Sequence, residues 1–136
     1  MRLQGRRVVG GHAEGEALVS VDPVSFYGGV DPETGVVVEP GHAVEGERIT
    51  GKVFIFPTGK GSTVGSYVIY RMKKLWTAPA AIVNNETESI IATGCVLAGI
   101  PLVDRLESDP LRLVETGMRV KVDADQGLIE VVEDRS

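Results

Sequence analysis

Apolar residues in this chain come in short runs separated by glycine, proline and acidic residues, and the period of each run predicts an element. Arg7-Val8-Val9 and Glu16-Ala17-Leu18-Val19-Ser20-Val21 flank the turn-rich Gly10 to Gly15. Val36-Val37-Val38 follows a second turn-rich segment, Gly28 to Gly35, so the first third predicts short strands. Ile49 to Phe56 predicts a strand stopped by Pro57. From Val64 the period changes to that of a helix. Val64, Val68, Met72 and Leu75 stand at i, i+4, i+8 and i+11 on one apolar face, with Tyr67 beside it. Lys73 and Lys74 fall in the last turn, where the helix dipole favours cations.

The second half continues in the same alternation. Pro79 to Val83 predicts a buried strand, and Asn84 to Ser89 caps a helix over Ile90 to Ala98 that Gly99 ends. Ile100 to Val103 is the next strand, and such short links predict a βαβ unit. Glu107 to Thr116 holds a helical turn. Met118 to Val122 alternates as a half-buried strand, Asp123 to Gly127 turns the chain, and Leu128 to Val132 returns as its hairpin partner. Glu133 to Ser136 predicts a solvated tail. The sum is an α/β fold in a single domain over residues 1–136, a mixed sheet or small open barrel with two main helices.

Composition acts mainly by exclusion. At 136 residues with 43% hydrophobic and 24% charged residues, the chain can bury a core and is not of disordered composition. A net charge of −5 argues against a nucleic-acid binder, which needs a basic face. Arg6-Arg7 leads into only two valines, so no signal-peptide region is expected, and Ile90 to Val103 is too short and interrupted to cross a membrane. The expectation is a cytoplasmic protein. Cys95 is the lone cysteine and lies in an apolar run, which predicts a core residue and no metal or cluster site of the chain's own.

Candidate chemistry is sparse outside one stretch. Asp31-Pro32-Glu33-Thr34-Gly35 has type I turn chemistry, which explains Asp31 locally, with a ligand contact as the alternative. His12 and His42 lie in glycine-flanked turns without a His, Cys or carboxylate at metal-ligand spacing, so surface or packing roles are expected. Arg71, nine residues beyond Ser62, lies about 13 Å down the helix axis and predicts an ion pair or a partner contact.

The exception is Phe56-Pro57-Thr58-Gly59-Lys60-Gly61-Ser62-Thr63-Val64-Gly65-Ser66, where a strand ends, a glycine-rich turn follows and a helix begins with Ser62 at its first N–H groups. A nucleotide P-loop fails, because Lys60 is followed by Gly61 and the position five before Gly59 is Phe54. Two readings remain. In one, Ser62 is an ordinary N-cap, although Gly65 excludes a capping box. In the other, Ser62 is a catalytic oxygen, with Lys60 and the following N–H groups stabilising negative charge. Helix-end electrostatics contribute about 0.3 to 2 kcal/mol, too little to form an alkoxide at neutral pH unaided.

Three ordered motifs, Phe26 to Gly35, Gly59 to Ser66 and Ala78 to Val83, resemble the aconitase X small-subunit family over nearly the whole chain. The resemblance implies the swivelling β/β/α domain of aconitase-type hydro-lyases. It also implies a large-subunit partner carrying an iron–sulfur (4Fe-4S) cluster. The family's proton-accepting serine maps onto Ser62 without departure in the motif, and Lys60, Gly61 and Thr63 become its substrate contacts. The implied substrate is a phosphorylated hydroxy acid of isoprenoid synthesis, mevalonate 5-phosphate, with a hydroxyproline as the family's other offering. A non-catalytic anion-binding module is the alternative outside catalysis.

Overall fold

Val53-Phe54-Ile55-Phe56 is buried at every position, and a strand apolar on both faces belongs in the middle of a sheet covered on both sides. The computed structural model, which describes residues 1–132, places it there. The strands are β1 (Arg2–Gln4), β2 (Arg6–Val9), β3 (His12–Val19), β4 (Val53–Phe56), β5 (Ala81–Asn84), β6 (Leu102–Asp104), β7 (Arg119–Asp123) and β8 (Leu128–Val132). The two main helices are α2 (Gly65–Lys74) and α3 (Ser89–Ala98), while α1 (Phe26–Gly29) and α4 (Pro110–Leu113) are single turns. The tail expected at Glu133 to Ser136 lies outside the described residues.

The eight strands form one mixed sheet in the order β1-β8-β7-β3-β4-β5-β6-β2. Its β3-β4-β5-β6 half is parallel, with α2 and α3 as crossovers, and its β1-β8-β7-β3 half is antiparallel. The outermost strands β1 and β2 are joined by Gly5 alone, so the sheet curls until its edges meet as an open barrel. Alternation along β4 divides the core. Phe54 and Phe56 pack with Ile69, Met72, Ile91 and Cys95 under the helices, whereas Val53 and Ile55 pack with Val120, Val122 and Ile129 inside the curl.

Four expectations are corrected. β3 begins at His12 and ends at Val19, four residues before and two residues short of the run over Glu16 to Val21. The strand expected from Ile49 starts at Val53, because Gly51 takes φ +71° and turns the chain first. Val36 to Val38 makes only isolated bridges: Val37 N–H donates to Glu47 O and Val38 N–H to Gly29 O, so its bonds reach two different segments. The apolar face of α2 is also rotated from the expected one. Gly65, Ser66, Ile69 and Met72 are buried, while Val64 and Leu75 stay 45% and 43% exposed.

The rotation of α2 follows from α3. Gly94 leaves a gap that Ile69 fills, and a Cβ there would stand 3.0 Å from Ile69 Cβ. Ser66 can be buried because its hydroxyl donates to Ile90 O at 3.0 Å. β1 was not anticipated: its single buried side chain, Leu3, is too short a signal, and its ladder to β8 comes from the far end of the chain.

An ion pair locks the β2 edge. Arg6 donates from Nε and Nη2 to the two oxygens of Asp104, both at 2.9 Å, and Thr87 N–H donates to Asp104 Oδ2 at 2.9 Å. Burial pushes the Asp104 carboxyl up, but the Arg6 guanidinium and the Thr87 donors outweigh it and hold it below the usual carboxylate range. A lowered carboxylate stabilises the fold above its unfolded pKa, and the contribution is lost as pH falls through the lower folded value. Asp104→Asn should therefore lower Tm near neutral pH, with the gap to the parent protein narrowing as melts are taken down to about pH 3. At the helix interface, Gly94→Ala should lower stability by on the order of 1 kcal/mol in urea unfolding, overpacking against Ile69 outweighing the gain in helix propensity.

Candidate active site

The glycine-rich turn leaves the carboxyl end of β4, and backbone bonds pin it from two sides. Val24 N–H donates to Thr58 O at 3.2 Å and Lys60 N–H to Val24 O at 3.0 Å, a parallel bridge between Val24 and Gly59. Asn85 and Glu86 N–H both donate to Pro57 O, at 3.0 and 3.1 Å, which ties the loop after β5 to the same turn. Asn84, fully buried, donates from Nδ2 to Phe56 O at 3.0 Å and secures the strand end.

Gly59 is where this packing is tightest. A Cβ there would sit 2.5 Å from Ile91 Cγ1 and closer still to Glu88 Oε1. Glu88 cannot yield easily, because its carboxylate caps α3 by accepting from Ile90 and Ile91 N–H at 2.9 and 2.8 Å. Gly61 has φ +92°, and a Cβ there would run into Ser25 Oγ. Two of the turn's glycines are thus required by close approach, one with positive φ as well.

Ser62 lies ahead of the helix and is not its N-cap. The cap is Val64, which carries no side-chain cap bond, and Gly65 is the first helical residue. Ser62 Oγ instead accepts from Val64 N–H at 3.2 Å, a local serine turn, and its carbonyl accepts from Gly65 N–H at 2.9 Å. Ser62 thus caps the turn that leads into α2, the local role expected of an ordinary cap, ahead of the first helical residue. The side chain stays exposed, touched by one backbone donor.

The other candidates separate around it. Lys60 and Gly61 line a concavity of about 400 Å³ together with Ser25, Tyr27, Gly28, Gly29 and Glu39. Thr63 lines another of about 270 Å³ between α2 and the start of α3. Lys60 does not reach the Ser62 hydroxyl as a hydrogen-bond donor; its Nζ donates to Glu39 Oε2 at 2.9 Å. Glu39 is the residue that the sequence pattern missed, since nothing in a lone Glu-Pro-Gly marks it and its partner is 21 positions away.

The remaining residues take local roles. Asp31 Oδ1 accepts from Glu33 N–H at 3.0 Å, and Gly35 closes that turn at φ +76°. Arg71 pairs with Glu33 at 3.0 Å on the surface. His42 is buried, with Nε2 bonded to Pro23 O at 2.9 Å and Nδ1 accepting from Val44 N–H. Burial pushes the Cys95 thiol up, so no reactive thiolate is available there.

His12 lies on the surface, as expected, and the fold gives it carboxylate neighbours that spacing along the chain does not. The register of β3 on β7 sets it opposite Asp123, and its Nε2 lies 3.6 Å from Asp123 Oδ1 and 3.0 Å from Asp125 Oδ2. The pairing crosses more than a hundred residues, so spacing along the chain could not reveal it. This cluster stands at the amino end of β3, whereas β3 runs parallel to β4 and Val19 pairs with Ile55 beside the glycine turn. Seven residues of strand, about 23 Å, separate the two places.

Comparison with known proteins follows the same geometry. The family model described as "Aconitase X swivel domain" matches residues 2–131. The phosphomevalonate dehydratase small subunit of Thermococcus kodakarensis is 54% identical over 134 residues, 98% of each chain. That of Methanococcoides burtonii is 52% identical over 133 residues, 98% of this chain and 97% of its own. The crystal structure of Thermococcus kodakaraensis aconitase X in its holo-form superposes with a TM-score of 0.93 at 52% identity, covering 98% of this chain and 99% of that one. This chain belongs to the aconitase X swivel-domain family.

Proposed function

We propose that this chain is the small subunit of a two-subunit hydro-lyase that dehydrates mevalonate 5-phosphate to trans-anhydromevalonate 5-phosphate in the cytoplasm, with Ser62 as the proton acceptor. The names of the relatives support the substrate and the partner large subunit. The observation that carries the chemistry is the Ser62 hydroxyl, exposed on a rigid glycine turn and held by a single N–H.

Dehydration of a 3-hydroxy acid breaks a C–H bond α to the carboxylate and a C–O bond at the β carbon, forming a C=C bond and water. Ser62 Oγ takes the α proton. The base form is the Ser62 oxyanion, its own hydroxyl proton having gone to the departing β-hydroxyl to make water, and the Val64 N–H, at 3.2 Å, stabilises that oxyanion until the α proton neutralises it. One such bond is worth about 1 kcal/mol, too little to make a strong base of a hydroxyl in water. The site must therefore be completed and dried by a second surface, which is the large subunit in this reading. Lys60, Gly61 and Thr63 flank the serine and contact the substrate.

The iron–sulfur cluster of the proposal has no ligand set on this chain. Its one cysteine, Cys95, is buried with its thiol pushed up, and such clusters take several thiolates. The cluster is accordingly a group of the large subunit, and this chain's part is to hold and move a proton at Ser62 Oγ.

With the reconstituted pair of subunits and mevalonate 5-phosphate, Ser62→Ala should abolish turnover while the two chains still co-purify. Retained turnover would remove Ser62 from the role of base. Gly61→Ala should shift the serine by forcing a side chain against Ser25 in a left-handed backbone conformation, lowering kcat by ~10- to 100-fold with assembly intact.

A further inference from the structure

Lys60 is the one cation lining the concavity beside Ser62 among the described residues, and its ammonium is held. Nζ donates to Glu39 Oε2 at 2.9 Å, with the glutamate side chain only 28% exposed. Glu39 is in turn fixed by the backbone beneath it. A Cβ on Gly29 would come within 3.3 Å of Glu39 Oε1, so the missing side chain at Gly29 makes the space the carboxylate occupies. Val38 N–H donates to Gly29 O at 2.8 Å and keeps the two segments together. Three stretches distant in sequence, Gly28–Gly29, Val38–Glu39 and Lys60–Gly61, thus meet around one concavity of about 400 Å³.

A lysine on an exposed turn samples many rotamers, and immobilising it before substrate arrives removes part of the entropy lost on binding. An ammonium has three donors. Glu39 uses one, which leaves two for an oxygen of a ligand. We propose that Glu39 is a positioning residue: it acts through Lys60, fixing the ammonium at the rim of this concavity so that the two free N–H groups receive a substrate oxygen beside Ser62. The inference rests on the function proposed above for Lys60 and Ser62. It also gives the second glycine of Phe26-Tyr27-Gly28-Gly29 a purpose, as the floor under the carboxylate.

A double-mutant cycle on the reconstituted two-subunit enzyme tests it, with co-purification of the large subunit as the check on folding. Glu39→Ala should lower kcat/KM for mevalonate 5-phosphate about two- to fivefold, the range for losing one partly exposed charged contact. Glu39→Gln, whose amide oxygen still accepts from Lys60, should recover most of that loss. In a Lys60→Ala background, Glu39→Ala should cost nothing further. An undiminished Glu39→Ala enzyme, or a loss that persists in full without Lys60, would overturn the positioning role. Ser62→Ala separates the two levels: if it remains active the proposed function falls, whereas an inactive Ser62→Ala with an additive cycle removes only the role of Glu39.

Discussion

The absence of a side chain at Gly59 governs how the turn after β4 meets α3. Because Glu88 and Ile91 crowd its Cα, the turn after β4 can lie directly on the amino end of α3. The same contact lets Pro57 O take two N–H groups from the loop after β5, and lets Val24 bridge Gly59 from the other side. A single close approach therefore orders three segments. Ser62, three residues on, inherits its position from that arrangement, its hydroxyl being touched by one N–H alone.

The sheet divides the work. Its parallel half carries the helices and brings the carboxyl ends of β4 and β5 together, the usual place for a ligand in such a sheet. Its antiparallel half closes the curl and completes the second core cluster. The His12, Asp123 and Asp125 cluster belongs to the antiparallel half, at the opposite end of β3 from the glycine turn.

The apolar residues left in solvent have a physical consequence. α2 turns Ile69 inward because Gly94 on α3 makes room for it, with Met72 buried on the same face, and that turns Val64 and Tyr67 out beside Ser62. A hydroxyl in water keeps its ordinary weak acidity, so a base at this position depends on exclusion of water by another surface. The exposed state of Ser62 in the single chain and the two-subunit reading are consistent on that ground.

What the sequence determined by itself is what short-range physics determines. Alternation and its hairpin return around Gly127 located β7 and β8, short apolar runs located β2 and β5, the switch to a 3.6-residue period located α2, and Gly99 marked the end of α3 with φ +69°. The glycine-rich turn was legible because three glycines within seven residues after Pro57 do not continue a strand. Tertiary structure decided the rest. Which face of α2 is buried depended on a gap in another helix, and β1 existed only because β8 was there to pair with it. The hold of Glu39 on Lys60 and the pairing of His12 with Asp123 and Asp125 likewise join residues far apart in the chain, where no local periodicity can encode the contact.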